Sequence, residues 1–461
     1  MDLMAPIVRR LIAPMWARWE RNQYLRCNDL LQCTQYDHPD TIRDRQLDAI
    51  QGLLRHAYVT TSFWRARLDW SGLRPEDVRG FDDFRAIPVL TKGDLRGHAD
   101  DMVSNHYDRT KLHRRKTSGS TGVSVEVYVD ETALQWKRAC TLRADEWSGW
   151  RLGERVAKVW GNPEYLKNGW RGRVRNWLLD RARYLDTLLM DEAVLARFAV
   201  SLRRRPPSLL FGHAHSLYLF AQYLRENGGA GFQPRGIIAT AMVLHDWERQ
   251  TIQSVFGRPV TNRYGCEEVS LIACECERHQ GLHVNADGVF VEVVRPDGMP
   301  AAPGELGAVV VTDLFNRAMP LIRYKVGDLA VLSNRRCGCG RGMPLLERVE
   351  GRVADYVVLP GGRMISGISL TENFAMLVPG LAQFQIVQEA PQHFRFRIVR
   401  GPDFGPGSLA EIHRLAEERF GPEVEYDCEY LDRIPPEPSG KFRFCISKVK
   451  NPFSTLEVAA R

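Results

Sequence analysis

The chain has 461 residues, 44% of them apolar and 26% charged, with 63 Lys and Arg against 56 Asp and Glu. That balance excludes a disordered, collagenous or coiled-coil architecture and, with the length, fits a soluble protein of about three units, or of one large and one small. The net charge of +7 suits anionic small molecules such as nucleotides and does not call for nucleic acid as a partner.

Residues 1 to about 100 read as helical. Ile7, Leu11, Met15 and Trp19 recur every four residues and make one apolar stripe, expected to face the core. Lying on a membrane surface is the lesser reading, because Arg9, Arg10 and Arg18 flank the stripe. Arginines stand in the middle of Met1 to Trp16 and no small-residue cleavage site follows, so a cytoplasmic location is expected. Gln46 to Ala57 reads as a second amphipathic helix. Ile87-Pro88-Val89-Leu90 then leads into a helix starting near Thr91.

From about 115 to 335, short β runs alternate with helical runs, which predicts an α/β sheet covered by helices. The strands are expected at Val125–Val129, Val156–Trp160, Ser208–Phe211, Gly236–Ala241 and Val260–Tyr264. The helices are expected at Leu134–Trp147, Ser216–Leu224 and Asp246–Phe256. Pro206 to Leu224 lacks Asp, Glu, Lys and Arg and is long enough to cross a bilayer. Its prolines, histidines, serines and glutamine make it a buried strand and helix instead, so no integral membrane segment is expected. Val289–Val294, Gly307–Leu314 and Leu329–Leu332 form a β-rich portion. The character changes near Glu350 to Asp355, and the remainder reads as a small α+β unit. The division expected is 1–350, a hinge at 351–356, and a cap at 357–461.

Five stretches carry chemistry. Thr117-Ser118-Gly119-Ser120-Thr121-Gly122 follows a basic run and precedes a strand; its glycines let backbone N–H groups converge on phosphate oxygens. Val123 stands where a Walker A lysine would be. Tyr264-Gly265-Cys266-Glu267-Glu268 closes a β run, with an aromatic ring for a base and a carboxylate for Mg²⁺. Asp328 follows a glycine in Arg323-Tyr324-Lys325-Val326-Gly327-Asp328 and can accept two ribose hydroxyls. Glu350-Gly351-Arg352 follows at the domain junction. Lys441 sits on the loop Pro438-Ser439-Gly440-Lys441, where a cation can meet charge that develops between a carboxylate and a phosphate. Taken singly, each is an ordinary turn or a solvated charge.

In this order the five stretches resemble adenylate-forming enzymes, the acyl-CoA synthetase superfamily. They are most similar to its phenylacetate-CoA ligase and capsule-biosynthesis branch, and Phe84 to Leu95, with its Ile-Pro-Val-Leu-Thr-Lys, matches that branch as well. The resemblance covers nearly the whole chain. It implies a large N-terminal α/β adenylate-forming domain with a β-rich portion and a small mobile C-terminal α+β domain. It also implies roles. Thr117 to Gly122 would clamp the ATP β- and γ-phosphates, with Ala241, Tyr264 and Gly265 beside the adenine and Glu268 on Mg²⁺. Asp328 would hold the ribose, with Arg352 reaching ribose or phosphate, and Lys441 would catalyse adenylation. His213 and Gly265 would border the acid. The partners implied are a small carboxylic acid, ATP, and CoA or another acceptor; the branch is compatible with a homodimer. Three departures stand out: Val123-Ser124 replaces the usual Lys-Pro, Ala239-Thr240-Ala241-Met242 lacks the usual Glu or Pro, and Ala354 stands at the usual hinge Asp.

The expected activity is ATP-dependent formation of an acyl-adenylate, then transfer to a thiol such as CoA. The alternatives are an adenylating ligase with an amine, hydroxyl or carrier-protein acceptor, and a non-catalytic nucleotide-binding relative. Among ten cysteines, Cys274-x-Cys276-x2-His279 and Cys337-x-Cys339 are two close sets of soft ligands. Spacing alone leaves a zinc site and buried free thiols both open. The resemblance implies structural Zn²⁺, assigned to Cys276, His279, Cys337 and Cys339 with Cys274 in reserve.

Overall fold

A computed structural model describes residues 2–116, 125–160, 169–187, 190–352, 356–360, 364–366, 370, 374, 377–435 and 443–449. The first hundred residues are helical, as expected. A broken N-terminal helix runs through Met4–Ile7, a π turn at Val8–Ile12 and Ala13–Trp19. Tyr24–Thr34, Pro39–Thr60 and Ser62–Trp70 follow. Lys92–Gly97 is capped by Thr91, whose side chain and that of Asp94 satisfy each other's backbone N–H. The N-terminal stripe is a correction. Ala5, Val8, Ala13 and Ala17 face inward, and the large residues Ile7, Leu11, Met15 and Trp19 face out. Close packing sets the choice: a Cβ at Gly153 would lie 2.8 Å from the Ala5 carbonyl, so only small side chains allow this approach.

A hairpin of β1 (His113–Lys116) and β2 (Glu126–Val129) leads into the main sheet. Its parallel half contains β3 (Val156–Val159), β4 (Ala182–Leu185), β5 (Leu209–His213), β6 (Gly236–Thr240) and β7 (Val260–Cys266). The strands are rich in Val, Leu, Ile and Ala because helices such as Glu192–Arg204, Ala214–Glu226 and Asp246–Phe256 pack on them. The sheet continues antiparallel through β8 (Ser270–Glu275), β9 (Leu282–Val284), β10 (Val289–Val294), β11 (Leu306–Asp313), β12 (Tyr324–Ser333) and β13 (Leu345–Arg352). The order is β10-β11-β12-β13-β9-β8-β7-β6-β5-β3-β4.

The C-terminal part is α+β. A ladder of β14 (Tyr356–Val358) and β15 (Met364–Ser366) precedes a four-stranded sheet. That sheet joins β16 (Leu381–Ala390), β17 (His393–Arg400), β18 (Glu425–Tyr430) and β19 (Cys445–Ser447) in the order β18-β17-β16-β19, backed by helix Pro406–Phe420. Phe374, Phe384, Phe394, Phe396 and Phe420 fill its core.

Candidate active site and metal centre

Parallel strands end together at one edge of a sheet, which is where ligands bind in such folds. Here the C-terminal edge carries Trp160 after β3, His213 at the end of β5, Ala241 after β6 and Tyr264 on β7. His213 is buried, with its ring centroid 4.1 Å from that of Trp160. Ala241 takes φ +64°, a conformation costly for a residue with a side chain, so surrounding packing holds this turn. Gly265 cannot be replaced: a Cβ there would meet the Ser270 carbonyl at 2.4 Å.

Tyr264 and Glu268 on one side and Tyr324 and Asp328 on the other are cross-tied. The Tyr264 hydroxyl donates to Oδ2 of Asp328 at 2.7 Å, and the Tyr324 hydroxyl donates to Oε1 of Glu268 at 2.9 Å. Strands β7 and β12 are four places apart in the sheet order, so these bonds close the curl of the sheet. Burial, then the neighbouring Asp328, pushes the Tyr264 phenol well above its usual range; burial and Glu268 do the same to Tyr324. Both phenols therefore remain donors at neutral pH. The Glu268 carboxylate, which also neighbours the Cys266 thiol, suits a hard cation, which prefers carboxylate and phosphate oxygens. Gly327, at φ +96°, turns the chain before Asp328; a Cβ on it would come 3.6 Å from Nζ of Lys92.

Arg323 braces this strand. Buried, it forks onto Glu292 at 3.0 and 3.1 Å and donates to the carbonyls of Arg85 and Ile87. Leu90 and Lys325 complete a short backbone pairing, so the Ile-Pro-Val-Leu segment docks directly on the Asp328 strand. Sequence reasoning missed Tyr324, Lys92 and Arg323 as site supports. Their motif positions were visible; their partners lie far away in the chain.

Thr117, Ser118, Gly119, Ser120, Thr121, Gly122 and Lys441 lie outside the described residues. Of Arg352 only the backbone is described, opposite Asp328 in the β12–β13 register. The segment at residues 443–449 is described. The Phe444 carbonyl accepts from Ile386 N–H at 2.8 Å, fixing it beside β16. Its ring enters an aromatic box on the large domain, with centroids 5.2 Å from His215, 5.2 Å from His245 and 6.4 Å from Trp247. Glu248 organises the box: it meets His215 Nδ1 at 2.9 Å and accepts from His245 N–H at 3.2 Å.

The cysteine sets converge, with one correction. Cys276, Cys337 and Cys339 come together with His283, their ligand atoms all within 4.8 Å of one another. Cys276 Sγ and Cys337 Sγ are 3.6 Å apart, and Cys339 Sγ lies 3.3 Å from His283 Nε2. Zn–S bonds of about 2.3 Å at tetrahedral angles put sulfurs about 3.8 Å apart, so the set fits zinc. His279 is elsewhere: the turn from β8 to β9 points it at Glu275, with Nδ1 at 3.2 Å from Oε2. Strand pairing brings in His283 instead, opposite Cys274 and Leu345. Cys274 itself is buried outside the cluster, its thiol on the Glu275 carbonyl. Burial holds His283 neutral, its pKa brought down to about 4, which leaves a ring nitrogen free to ligate. Arg341 ties the two loops together, donating to Glu277 at 2.9 and 3.0 Å and to Gln35 at 2.9 Å.

Comparison with known proteins accords with this geometry. The family described as CapK C-terminal domain matches residues 357–448. Protein CapK of Staphylococcus aureus is 26% identical over 79% of this chain and 80% of its own. Phenylacetate-coenzyme A ligase of Escherichia coli strain K12 is 28% identical over 70% of this chain and 74% of its own. A 2-hydroxyisobutyryl-CoA ligase, solved in the postadenylation state with R3-HIB-AMP, superposes with TM-score 0.70 at 20% identity, covering 88% of this chain and 89% of that one.

Proposed function

From its place in the adenylate-forming superfamily, in the branch of CapK and phenylacetate-CoA ligases, we propose that this chain is an ATP-dependent acid–thiol ligase of the AMP-forming type. One observation carries the reading: Tyr264 and Tyr324 fix Asp328 and Glu268 at the mouth of the parallel strands, as a ribose and a metal-bound phosphate require. A carboxylate oxygen of the acid attacks the α-phosphorus of ATP. The new P–O bond forms as the α–β bridging bond breaks, and pyrophosphate leaves. A thiolate sulfur then attacks the acyl carbon, and the C–O bond to AMP breaks. CoA is the thiol favoured, because several relatives are named phenylacetate-coenzyme A ligases.

The chain's part is positioning and charge neutralisation. Asp328 orients the ribose, with Arg352 beside it. Thr117 to Gly122 hold the β- and γ-phosphates, Ala241, Tyr264 and Gly265 border the adenine, and His213 borders the acid. Lys441 neutralises charge between the acid and the α-phosphate. Mg²⁺, held by Glu268, would supply further neutralisation on the phosphates. Cys276, His283, Cys337 and Cys339 would hold zinc in a structural role, since four protein ligands leave no open position. The proposed domains are 1–350 and 357–461 around a hinge at 351–356, in a cytoplasmic protein. Incubation of the purified protein with ATP, CoA and a panel of carboxylic acids, read by product mass, tests this: acyl-CoA and AMP support it. The match to a CapK C-terminal domain at 357–448 favours one second reading, with an amine, hydroxyl or carrier-protein acceptor. Acyl-adenylate that accumulates with CoA present would select it.

A further inference from the structure

We propose that the N-terminal helix and residues 169–180 together form a surface that docks on an anionic lipid bilayer. This goes beyond the ligase reading and stands apart from it. The N-terminal helix turns a row of large apolar side chains to solvent: Leu3, Ile7, Leu11, Met15 and Trp19 are 76%, 43%, 58%, 69% and 72% exposed. Four-residue steps drift by about 40° each on an α-helix, and the π turn at Val8–Ile12 underwinds the helix and counters that drift. The row therefore stays on one face.

A second element presents the same chemistry. Gly169–Arg175 and the π turn Asn176–Asp180 expose Trp170 at 71%, Val174 at 37% and Trp177 at 74%, spaced by four and three residues. The two elements are neighbours. Val8, Ala13 and Leu179 share a buried cluster with Ile12, Trp16 and Leu178 packed against it, and Arg175 meets Glu20 at 3.4 Å.

Charge selects the occupant. Arg10, Arg18, Arg21, Arg171 and Arg173 are exposed around these apolar rows, and none has an ion pair among the described residues. The nearby acids are taken: Asp2 by Arg155 and Arg181, Glu20 and Asp180 by Arg175. A second copy in a two-fold dimer would set this cationic patch against itself. Tryptophan with arginine, on helices lying flat, is instead the pattern of a headgroup interface. Anionic lipid supplies the counter-charge.

The test is co-sedimentation of the full chain with vesicles of phosphatidylcholine alone or of equal parts phosphatidylcholine and phosphatidylglycerol. The protein should pellet with the anionic vesicles and release at high salt. Trp19→Ser with Trp177→Ser, and separately Arg18→Glu with Arg171→Glu and Arg173→Glu, should each lower the partition coefficient at least about tenfold. Both variants should keep the wild-type circular dichroism and melting curve, since every changed side chain is exposed. Absence of wild-type binding to anionic vesicles, or undiminished binding in both folded variants, overturns the proposal. So does a dimer that dissociates in the tryptophan variant while no vesicle binding is seen, which assigns the face to a second copy.

Discussion

The hydroxyls of Tyr264 and Tyr324 decide how the two carboxylates of the cleft are presented. Tyr264 on β7 serves Asp328 on β12, and Tyr324 on β12 serves Glu268 in the turn after β7, so loss of one donor loosens the tie between the two strands as well as one acid. A hydrogen bond to a charged group contributes about 1.5–3 kcal/mol. Tyr264→Phe should therefore raise KM for ATP about tenfold or more in pyrophosphate exchange, with a smaller change in kcat, because the role proposed for Asp328 is to bind the nucleotide. A fall in kcat at unchanged KM would contradict the binding role. The residues at this scale were legible in part. Tyr264, Glu268 and Asp328 stand in short motifs whose chemistry can be read directly. Tyr324 lies in the same motif as Asp328, but its partner is 56 residues away, and only the curl of the sheet brings them together.

At the scale of elements, strand pairing outweighs spacing. Cys276 and His279 look like a local ligand pair, yet the turn between β8 and β9 gives His279 to Glu275 and seats His283 beside Cys339. Metal analysis of the purified chain should find about one zinc, falling below about 0.3 in His283→Ala and Cys339→Ser and unchanged in His279→Ala. Loss of metal in the His279 variant alone would reverse the assignment. The N-terminal stripe taught the same lesson. Periodicity located the helix, but the buried face was chosen by how closely Ala5 and Val8 approach Gly153, which no hydropathy pattern records. The segment from Arg443 to Ser447 joins the two domains' chemistry through one ring. Aromatic pairs contribute about 0.5–1.5 kcal/mol each, so Phe444→Ala should slow adenylation about tenfold while sparing thiol transfer from preformed acyl-adenylate. An equal loss in both half-reactions would show that the ring serves only general stability.

Across the whole molecule, the alternation of β and helical runs predicted β3, β5, β6 and β7 of the parallel half, because buried parallel strands read as continuous apolar runs between helices. It missed β4, whose Ala182-Arg183-Tyr184-Leu185 is too short and polar to read that way, and Val125–Val129 lies in a separate hairpin. The ranges for Val260–Cys266, Asp246–Phe256 and Val289–Val294 agree with the sequence to within two residues. What could not be read was how the antiparallel strands return to the parallel half, since β13 pairs with β9 across sixty residues of intervening chain. That return builds the cross-tied cleft and the cysteine cluster together. The account depends on the cleft joining ATP to an acid under the charge of Lys441. Carboxylate-dependent exchange of labelled pyrophosphate into ATP, in the wild-type chain and in Lys441→Ala, measures this directly. The account predicts acid-dependent exchange in the wild type and its loss by at least about a thousandfold in the variant; full exchange without the lysine, or none from the wild type with any acid, would contradict it.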